Sequence, residues 1–319
     1  MNVLKHQHLA AILTLLSITY SVPSFACSSC GCTLNSDWTT QGYASGEGTR
    51  VDIRFDYFKQ TDYRHGTHSV SRDAVDAAGA EVQDTTINRN LMLSLDHGFN
   101  QDWAVNVQLP VYSRSHGTYE TYPDTTSIIN SSSKGIGDLR VTARYQGLTA
   151  DHSSGLTFGL KLPTGETNDT FNDGVTPLDR GLQLGTGTTD LLLGGYHFGN
   201  INRDWDYFAQ ATVQIALNTH KDFRPGNGLN ASAGVRYMGF ETFIPQLQLN
   251  TRIEKRESGA MADIPNSGAT LLYISPGVTM PINKQMQAFG FLQVPIYQRV
   301  NGYQIEPEVL LSAGMRYSF

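Results

Sequence analysis

The chain has 319 residues, a formal net charge of −6 and 39% hydrophobic residues. This acidic balance disfavours nucleic-acid binding, because nucleic-acid-binding proteins present basic surfaces. No run approaches the roughly 20 apolar residues that a membrane-spanning helix requires. The chain has only three cysteines, all within residues 27–32, so disulfides do not hold the body of the protein together.

The N-terminal residues have the features of a secretory signal peptide. Lys5 precedes the apolar stretch Leu9 to Ile18, and Ser24-Phe25-Ala26 provides a small-x-small cleavage site. The sequence therefore predicts a signal peptide over residues 1–26 and a mature chain that begins at Cys27.

From Thr49 onward, apolar and polar residues alternate in one segment after another. Val51, Ile53 and Phe55, for example, are offset by one position from Asp52 and Arg54. This period of two residues is the signal of β-strands with one apolar and one polar face. The predicted strands are 49–60, 86–97, 103–114, 137–146, 154–163, 187–198, 205–218, 228–238, 243–255, 269–280, 286–298 and 308–319.

The predicted connections alternate between long loops, such as 61–85 and 164–186, and short turns, such as 98–102. Outer-membrane barrels have long external loops and short periplasmic turns, and aromatic girdles at both interfaces. Trp103 begins and Tyr145 ends a predicted strand at the short-turn end, as such a girdle requires. The fold class is therefore predicted to be all-β, a transmembrane antiparallel up-and-down β-barrel of about 12 strands with both termini periplasmic. The alternative is a secreted β-sandwich. Its strands also alternate apolar and polar residues, but its connections have no reason to alternate between long and short.

The domain organisation follows from these features. Residues 1–26 are the signal peptide, residues 27–48 form a cysteine-containing segment that acts as a lumen plug or a periplasmic arm, and residues 49–319 form the barrel. The predicted location is the bacterial outer membrane, in contact with outer-membrane lipid.

Charged side chains on the polar faces are the candidates for a lumen constriction. They are nearly balanced in sign, so two interpretations stay open: ion pairs that fill the lumen, or a constriction that sorts small polar or charged solutes. The balance does not decide between anions and cations. The candidates are Asp52, Arg54, Asp56, Asp96, Asp138, Arg140, Arg144, Lys161, Asp190, Arg236, Arg252, Glu254 and Arg316.

The cysteine cluster Cys27, Cys30 and Cys32 allows three interpretations. The cysteines could form a structural disulfide, bind a soft metal ion or make a redox contact with a periplasmic protein, or carry lipid on Cys27. Haem attachment is excluded, because Gly31 stands where the histidine of a haem motif would follow the second cysteine.

Three short motifs resemble a known family. Gly135-Ile136-Gly137-Asp138-Leu139, Leu160 to Gly165, and Gly187-Thr188-Thr189-Asp190 are similar to motifs of the outer-membrane channels named after the meta-pathway of phenol degradation. The resemblance covers roughly residues 49–319. It implies a β-barrel that admits small molecules and supplies no catalytic residues, and the cysteine segment departs from it.

The function predicted from these features is an outer-membrane channel or transporter for small polar or charged solutes, and not an enzyme. The alternative is a barrel scaffold for a periplasmic metal-handling or electron-transfer partner. An outer-membrane lipid hydrolase would need a Ser–His pair on neighbouring strands, and the nearest candidates, Ser113 and His116, lie on one segment.

Overall fold

The computed structural model describes residues 46–120 and 127–319, and it forms an antiparallel β-barrel. The predicted signal peptide and the three cysteines lie outside the described residues. The strands are β1 (Gly48–Gly66), β2 (His68–Val70), β3 (Gln83–Gly98), β4 (Trp103–Tyr119), β5 (Ile128–Ile136), β6 (Leu139–Tyr145), β7 (Ser154–Leu162), β8 (Asp190–Asn200), β9 (Trp205–Ala216), β10 (Gly228–Tyr237), β11 (Ile244–Glu254), β12 (Ala269–Pro281) and β13 (Met286–Ser318).

Eleven of these elements close the ring, in the order β1, β3, β4 and β6 to β13, with β13 paired back onto β1. β13 is 33 residues long: residues 287–300 pair with β12 and residues 300–318 pair with β1. Its two halves also contact each other: the Gln298 side chain donates a hydrogen bond to the Pro307 carbonyl at 2.9 Å. Gly302, at φ 62°, lies between the halves. Since β13 makes two passes, the ring has twelve antiparallel passes, and the predicted all-β antiparallel barrel is confirmed.

Two strands lie outside the ring. β2 pairs with the end of β1, and β5 pairs with residues 111–119 of β4 while β6 pairs with residues 103–108. A short helix, α1 (Arg72–Ala77), follows β2, and its Val75 packs against Tyr63 and Ile305. These elements extend the barrel at the end that carries the long connections. Within the described residues, no helix has the length and hydropathy needed to cross a membrane.

Side chains alternate between the outside and the inside of the ring. On β1, Ile53 and Phe55 are 48% and 44% exposed, whereas Asp52, Arg54 and Asp56 between them are buried. β11 behaves in the same way, with Leu247 and Leu249 outside. The large exposed hydrophobic side chains thus cover the outer surface, and most of the charged ones point into the ring.

The observed strands correct two of the predicted connections. The predicted loop 115–136 is mostly strand, because β4 continues to Tyr119 and β5 begins at Ile128. The predicted gap 299–307 is also strand, since β13 turns tightly at Gly302. Pro295 is accommodated beside a register shift between Leu272 and Tyr273, which explains how a proline lies within this strand.

The ring is not polar throughout its interior. Phe58, Leu271 and Tyr273 are fully buried and form an inward-facing apolar cluster with Ala269, Val300 and Leu310. These residues come from β1, β12 and β13, so one side of the barrel interior is filled with apolar side chains. The charged interior described below lies mainly on the other strands.

Candidate functional site: the barrel lumen

Ion pairs cluster at the short-turn end of the lumen. Arg316 on β13 donates from Nε and Nη2 to the two carboxylate oxygens of Asp52 on β1, at 2.6 and 3.3 Å. Further into the barrel, Asp56 accepts from Arg54 Nε at 3.0 Å and from Ser312 Oγ at 2.6 Å. These contacts join the first and last barrel strands through their interior faces.

A second ion-pair group lies at the same end on the other strands. Arg144 donates to both oxygens of Asp96, at 2.9 and 3.1 Å, and Arg50 approaches the same carboxylate at 3.4 Å. Arg236 Nε lies 2.6 Å from an oxygen of Asp206. Because each of these arginines has a carboxylate partner, the positive charges at this end of the lumen are neutralised within the protein.

Asp138 and Lys161 form a node between β6, β7 and the beginning of β8. Lys161 Nζ lies 2.9 Å from Asp138 Oδ2 and 3.1 Å from Asp190 Oδ2. Asp138 also accepts from the backbone N–H groups of Gly165 and Thr186, at 3.1 and 3.0 Å. The three motifs noted in the sequence therefore meet at one point.

The connection 163–189 between β7 and β8 starts and ends at this node and folds into the lumen. A Cβ on Gly185 would lie 2.5 Å from the Gly165 carbonyl oxygen, so the two arms of the loop touch. Leu182 is buried in a cluster with Phe171 and Leu178. Arg114 on β4 donates to the Gly181 carbonyl at 2.9 Å, which attaches the loop to the inner face of β4.

The inward loop leaves an inner cavity of about 150 Å³ against the barrel wall. Five cationic side chains and three carboxylates line this cavity. Arg252 is paired with Glu254 at 2.7 Å, and Lys161 with Asp138 as described. The charged lining residues are Arg114, Arg140, Lys161, Arg180, Arg252, Asp138, Glu254 and Glu257.

An outer cavity of about 340 Å³ adjoins the inner one and shares Arg180 and Glu257 with it. The inward loop and the connection 255–268 form most of its wall. Asp179 lines this cavity, and burial, followed by the nearby carboxylate of Glu81, raises its pKa well above the usual range. The buried Asp179 carboxyl therefore favours its protonated form when the loop is docked.

The thirteen residues predicted for the constriction all lie on inward faces, and twelve of them take part in the ion pairs above. Arg140 has no ion pair among the described residues. The sequence missed Arg50, Arg114, Arg180 and Asp206. The alternation of β4 could have predicted that Arg114 faces the lumen, since it lies two residues from Tyr112 on the same face. Arg180 lies in a loop, where no periodicity predicts the direction of a side chain.

The structure separates the Ser–His pair considered for hydrolysis. His116 points inward, where its Nδ1 lies 2.8 Å from Thr86 Oγ1, and Ser113 lies at an odd position on the outward face of β4. Over residues 46–120 and 127–319, no three His, Cys, Asp or Glu side chains are grouped to hold a metal ion. The candidate soft-metal site at Cys27, Cys30 and Cys32 lies outside the described residues.

Comparison with known proteins identifies the fold. No protein-family profile and no curated protein matches the sequence. Among solved structures, the chain is similar to an outer-membrane channel from Pseudomonas putida F1, with a TM-score of 0.65 and 14% identity over 89% of this chain and 99% of that one. It is also similar to the β domain of the Bordetella autotransporter BrkA, with a TM-score of 0.50 and 16% identity over 86% of this chain and 100% of that one. The fold is therefore that of an outer-membrane β-barrel.

Proposed function

We propose that this protein is a channel of the bacterial outer membrane that passes small polar or charged solutes. The observation that carries the proposal is the sorting of side chains around a closed ring. Outward positions on the strands hold exposed Ile, Leu, Phe and Val, and inward positions hold paired charges. An apolar band around a charged interior matches a barrel with hydrocarbon outside and water inside.

The fold similarity to the Pseudomonas putida channel supports the location and the class of function. The short connections 99–102, 201–204 and 282–285 lie at one end of the ring, where the pair Arg50–Ser318 also lies. In outer-membrane barrels the short turns are periplasmic, so we expect both ends of the barrel domain to lie on the periplasmic side.

We also propose that the protein is related to the channels named after the meta-pathway of phenol degradation. The contacts at Asp138 support this relation, because all three motifs that carry the resemblance contribute to them. The three motifs are far apart in the sequence, yet all contribute to one group of contacts at the base of the inward loop, which is expected if they belong to one structural unit of such channels.

The inward loop and an apolar cluster narrow the lumen. Twelve passes enclose a wider ring than the roughly eight whose interior is filled by side chains, but the loop 163–189 and the Phe58 cluster occupy much of that space. The free volume beside the loop is divided between the inner cavity of about 150 Å³ and the outer cavity of about 340 Å³. The channel therefore admits small solutes one at a time and excludes large ones.

Reconstitution tests the proposal. The mature protein, refolded into detergent and added to planar bilayers, should give discrete conductance steps, and liposomes that contain it should swell in small but not large solutes. Empty liposomes treated with the same detergent are the control. A folded barrel that gives neither conductance nor solute flux would overturn the channel proposal.

A further inference from the structure

The two adjoining cavities differ in chemistry. The inner cavity is lined mainly by charged groups, whereas the wall of the outer cavity is mostly apolar and includes Pro177, Leu178 and Met261. Arg180, Gly181, Gln183 and Glu257 belong to both linings, so a ligand can extend from one cavity into the other.

Three arginines at the inner cavity have no carboxylate partner. Among the described residues, no carboxylate lies within 4 Å of the guanidinium groups of Arg114, Arg140 or Arg180. Arg114 is instead held by Asn88 and by the carbonyls of the inward loop, and Arg180 by the Thr167 carbonyl at 3.3 Å.

Arg140 differs from the other two, because it makes no hydrogen bond within residues 46–120 and 127–319. A guanidinium group has five N–H donors in a planar fork that matches the two oxygens of a carboxylate. A cation enclosed by protein requires a partner, and Arg140 finds none in the wall around it.

The carboxylates at the inner cavity do not compete for Arg140. Asp138 is already engaged by Lys161 and by the N–H groups of Gly165 and Thr186, and Glu254 accepts two hydrogen bonds from Arg252. Glu257, the third carboxylate, has its own contacts and lies where the two cavities join. The inner cavity therefore keeps an excess of positive charge at Arg140.

The outer cavity is large enough for an apolar group. An apolar protein cavity of about 150 Å³ holds a benzene molecule, and the outer cavity is about 340 Å³. Its charged lining residues away from the junction are Asp179, Asp263 and Lys221. The guanidinium groups of Arg114 and Arg140 line only the inner cavity, so an anion with an apolar body places its charged head toward the inner cavity and its body in the outer one.

We infer that the lumen binds small monocarboxylates with an apolar body, with the carboxylate on Arg140 and the body against Leu178 and Met261. This inference deepens the proposed function and rests on it, since it names the solute class of the channel. Arg140 is then the residue that selects the solute, and Arg114 and Arg180 add positive potential beside it.

Isothermal titration of the detergent-solubilised protein tests the inference with three probes: benzoate, acetate and benzyl alcohol. Benzoate should bind more tightly than acetate, which lacks the ring, and more tightly than benzyl alcohol, which lacks the charge. Arg140→Gln should weaken benzoate binding roughly tenfold, because a hydrogen-bonded charge is lost. Arg203→Gln removes the same charge from the exposed turn 201–204, outside both cavities, and should leave benzoate binding unchanged.

A second pair of variants tests the inference even if Arg140→Gln fails to fold. Met261→Ser should weaken binding of benzoate but not of acetate, and Arg180→Gln should weaken both. Equal binding of benzoate and benzyl alcohol, or no binding of benzoate to the folded wild-type protein, would overturn the inference. This readout is separate from conductance, so a barrel that conducts without binding benzoate keeps the channel function and loses only its solute class.

Discussion

The side chain of Arg316 on the last strand holds that of Asp52 on the first, with Arg316 Nε 2.6 Å from Asp52 Oδ1 and both side chains more than nine-tenths buried. Because a buried charge that loses its partner is costly, Arg316→Met should destabilise the barrel by about 1–3 kcal/mol. Urea unfolding in detergent, followed by circular dichroism, measures this loss.

Two further variants make that measurement specific. Lys284→Met removes a cation from the exposed turn 282–285 and should have little effect. The double variant Asp52→Asn/Arg316→Met removes both charges and should recover part of the stability. Equal unfolding curves for wild type and Arg316→Met would show that the pair does not support closure.

The outward face of β11 tests the contact with lipid. Leu249 lies near the middle of this strand and is 47% exposed on the outer surface. If hydrocarbon surrounds it, Leu249→Arg should destabilise the membrane-inserted protein by about 2–4 kcal/mol. The same substitution at Gln285, in an exposed short turn, is the control. Stable Leu249→Arg protein that needs no detergent would argue for a soluble barrel.

The inward loop sets the size of the conducting path. Replacing residues 168–182 with Gly-Ser-Gly removes Arg180 and Leu182 from the lumen and should roughly double the unit conductance in planar bilayers. Deleting only the exposed tip, residues 173–175, should leave the conductance unchanged. An unchanged conductance after removal of the whole stretch would show that the constriction lies elsewhere.

The buried carboxyl of Asp179 makes docking of the loop depend on pH. Burial raises the pKa of Asp179 in the docked loop, so docking is most favourable below the ordinary Asp pKa of about 3.9 and weakens as pH rises toward the raised value. Asp179→Asn stays neutral and should keep the loop docked at neutral pH. Hydrogen exchange of residues 163–189 between about pH 4 and about pH 8 measures docking.

The matched control for this pH dependence is Asp173→Asn at the exposed loop tip. Hydrogen bonds from Thr176 and from the Val175 backbone lower the pKa of Asp173, the opposite direction to Asp179. Asp173→Asn should therefore leave the weakening at higher pH in place. If wild type and Asp179→Asn exchange identically across the range, protonation of Asp179 does not control docking of the loop.

The mature N-terminus is a separate prediction from the sequence. Cleavage after Ala26 should give a chain that begins at Cys27, and intact-mass measurement of protein from the outer-membrane fraction checks this. Ala26→Leu should slow cleavage, because the site needs a small residue. A mass increase that corresponds to acyl chains would show instead that Cys27 is lipidated.

Most of the barrel was predictable from the sequence, because the side chains of a strand alternate with a period of two. The bounds of β9 to β12 differ from the prediction by two residues or fewer, and Asp52, Arg144 and Arg316 lie inside the ring where the alternation places them. The resemblance motifs also pointed to residues that meet in space.

The inward loop and the apolar cluster were not predictable in the same way. Residues 163–189 have no period, so their path depends on tertiary contacts such as that between Arg114 and the Gly181 carbonyl. In β1, alternation places Phe58 inward in phase with Asp56, but it does not show that Phe58 packs with apolar residues of β12 and β13. The approach of Asp179 to Glu81 brings two loops together and has no local signal in the sequence.

The two passes of β13 have a consequence for biogenesis. The seam of the ring joins residues 264 positions apart in the chain, and it can be zipped only after the C-terminal pass is present. Until then, the sheet has two unpaired edge strands, whose backbone N–H and C=O groups would lack hydrogen-bond partners in hydrocarbon. If the barrel inserts into a bilayer as proposed, insertion and closure of the ring must be coupled, and the open edges must be covered until the chain is complete.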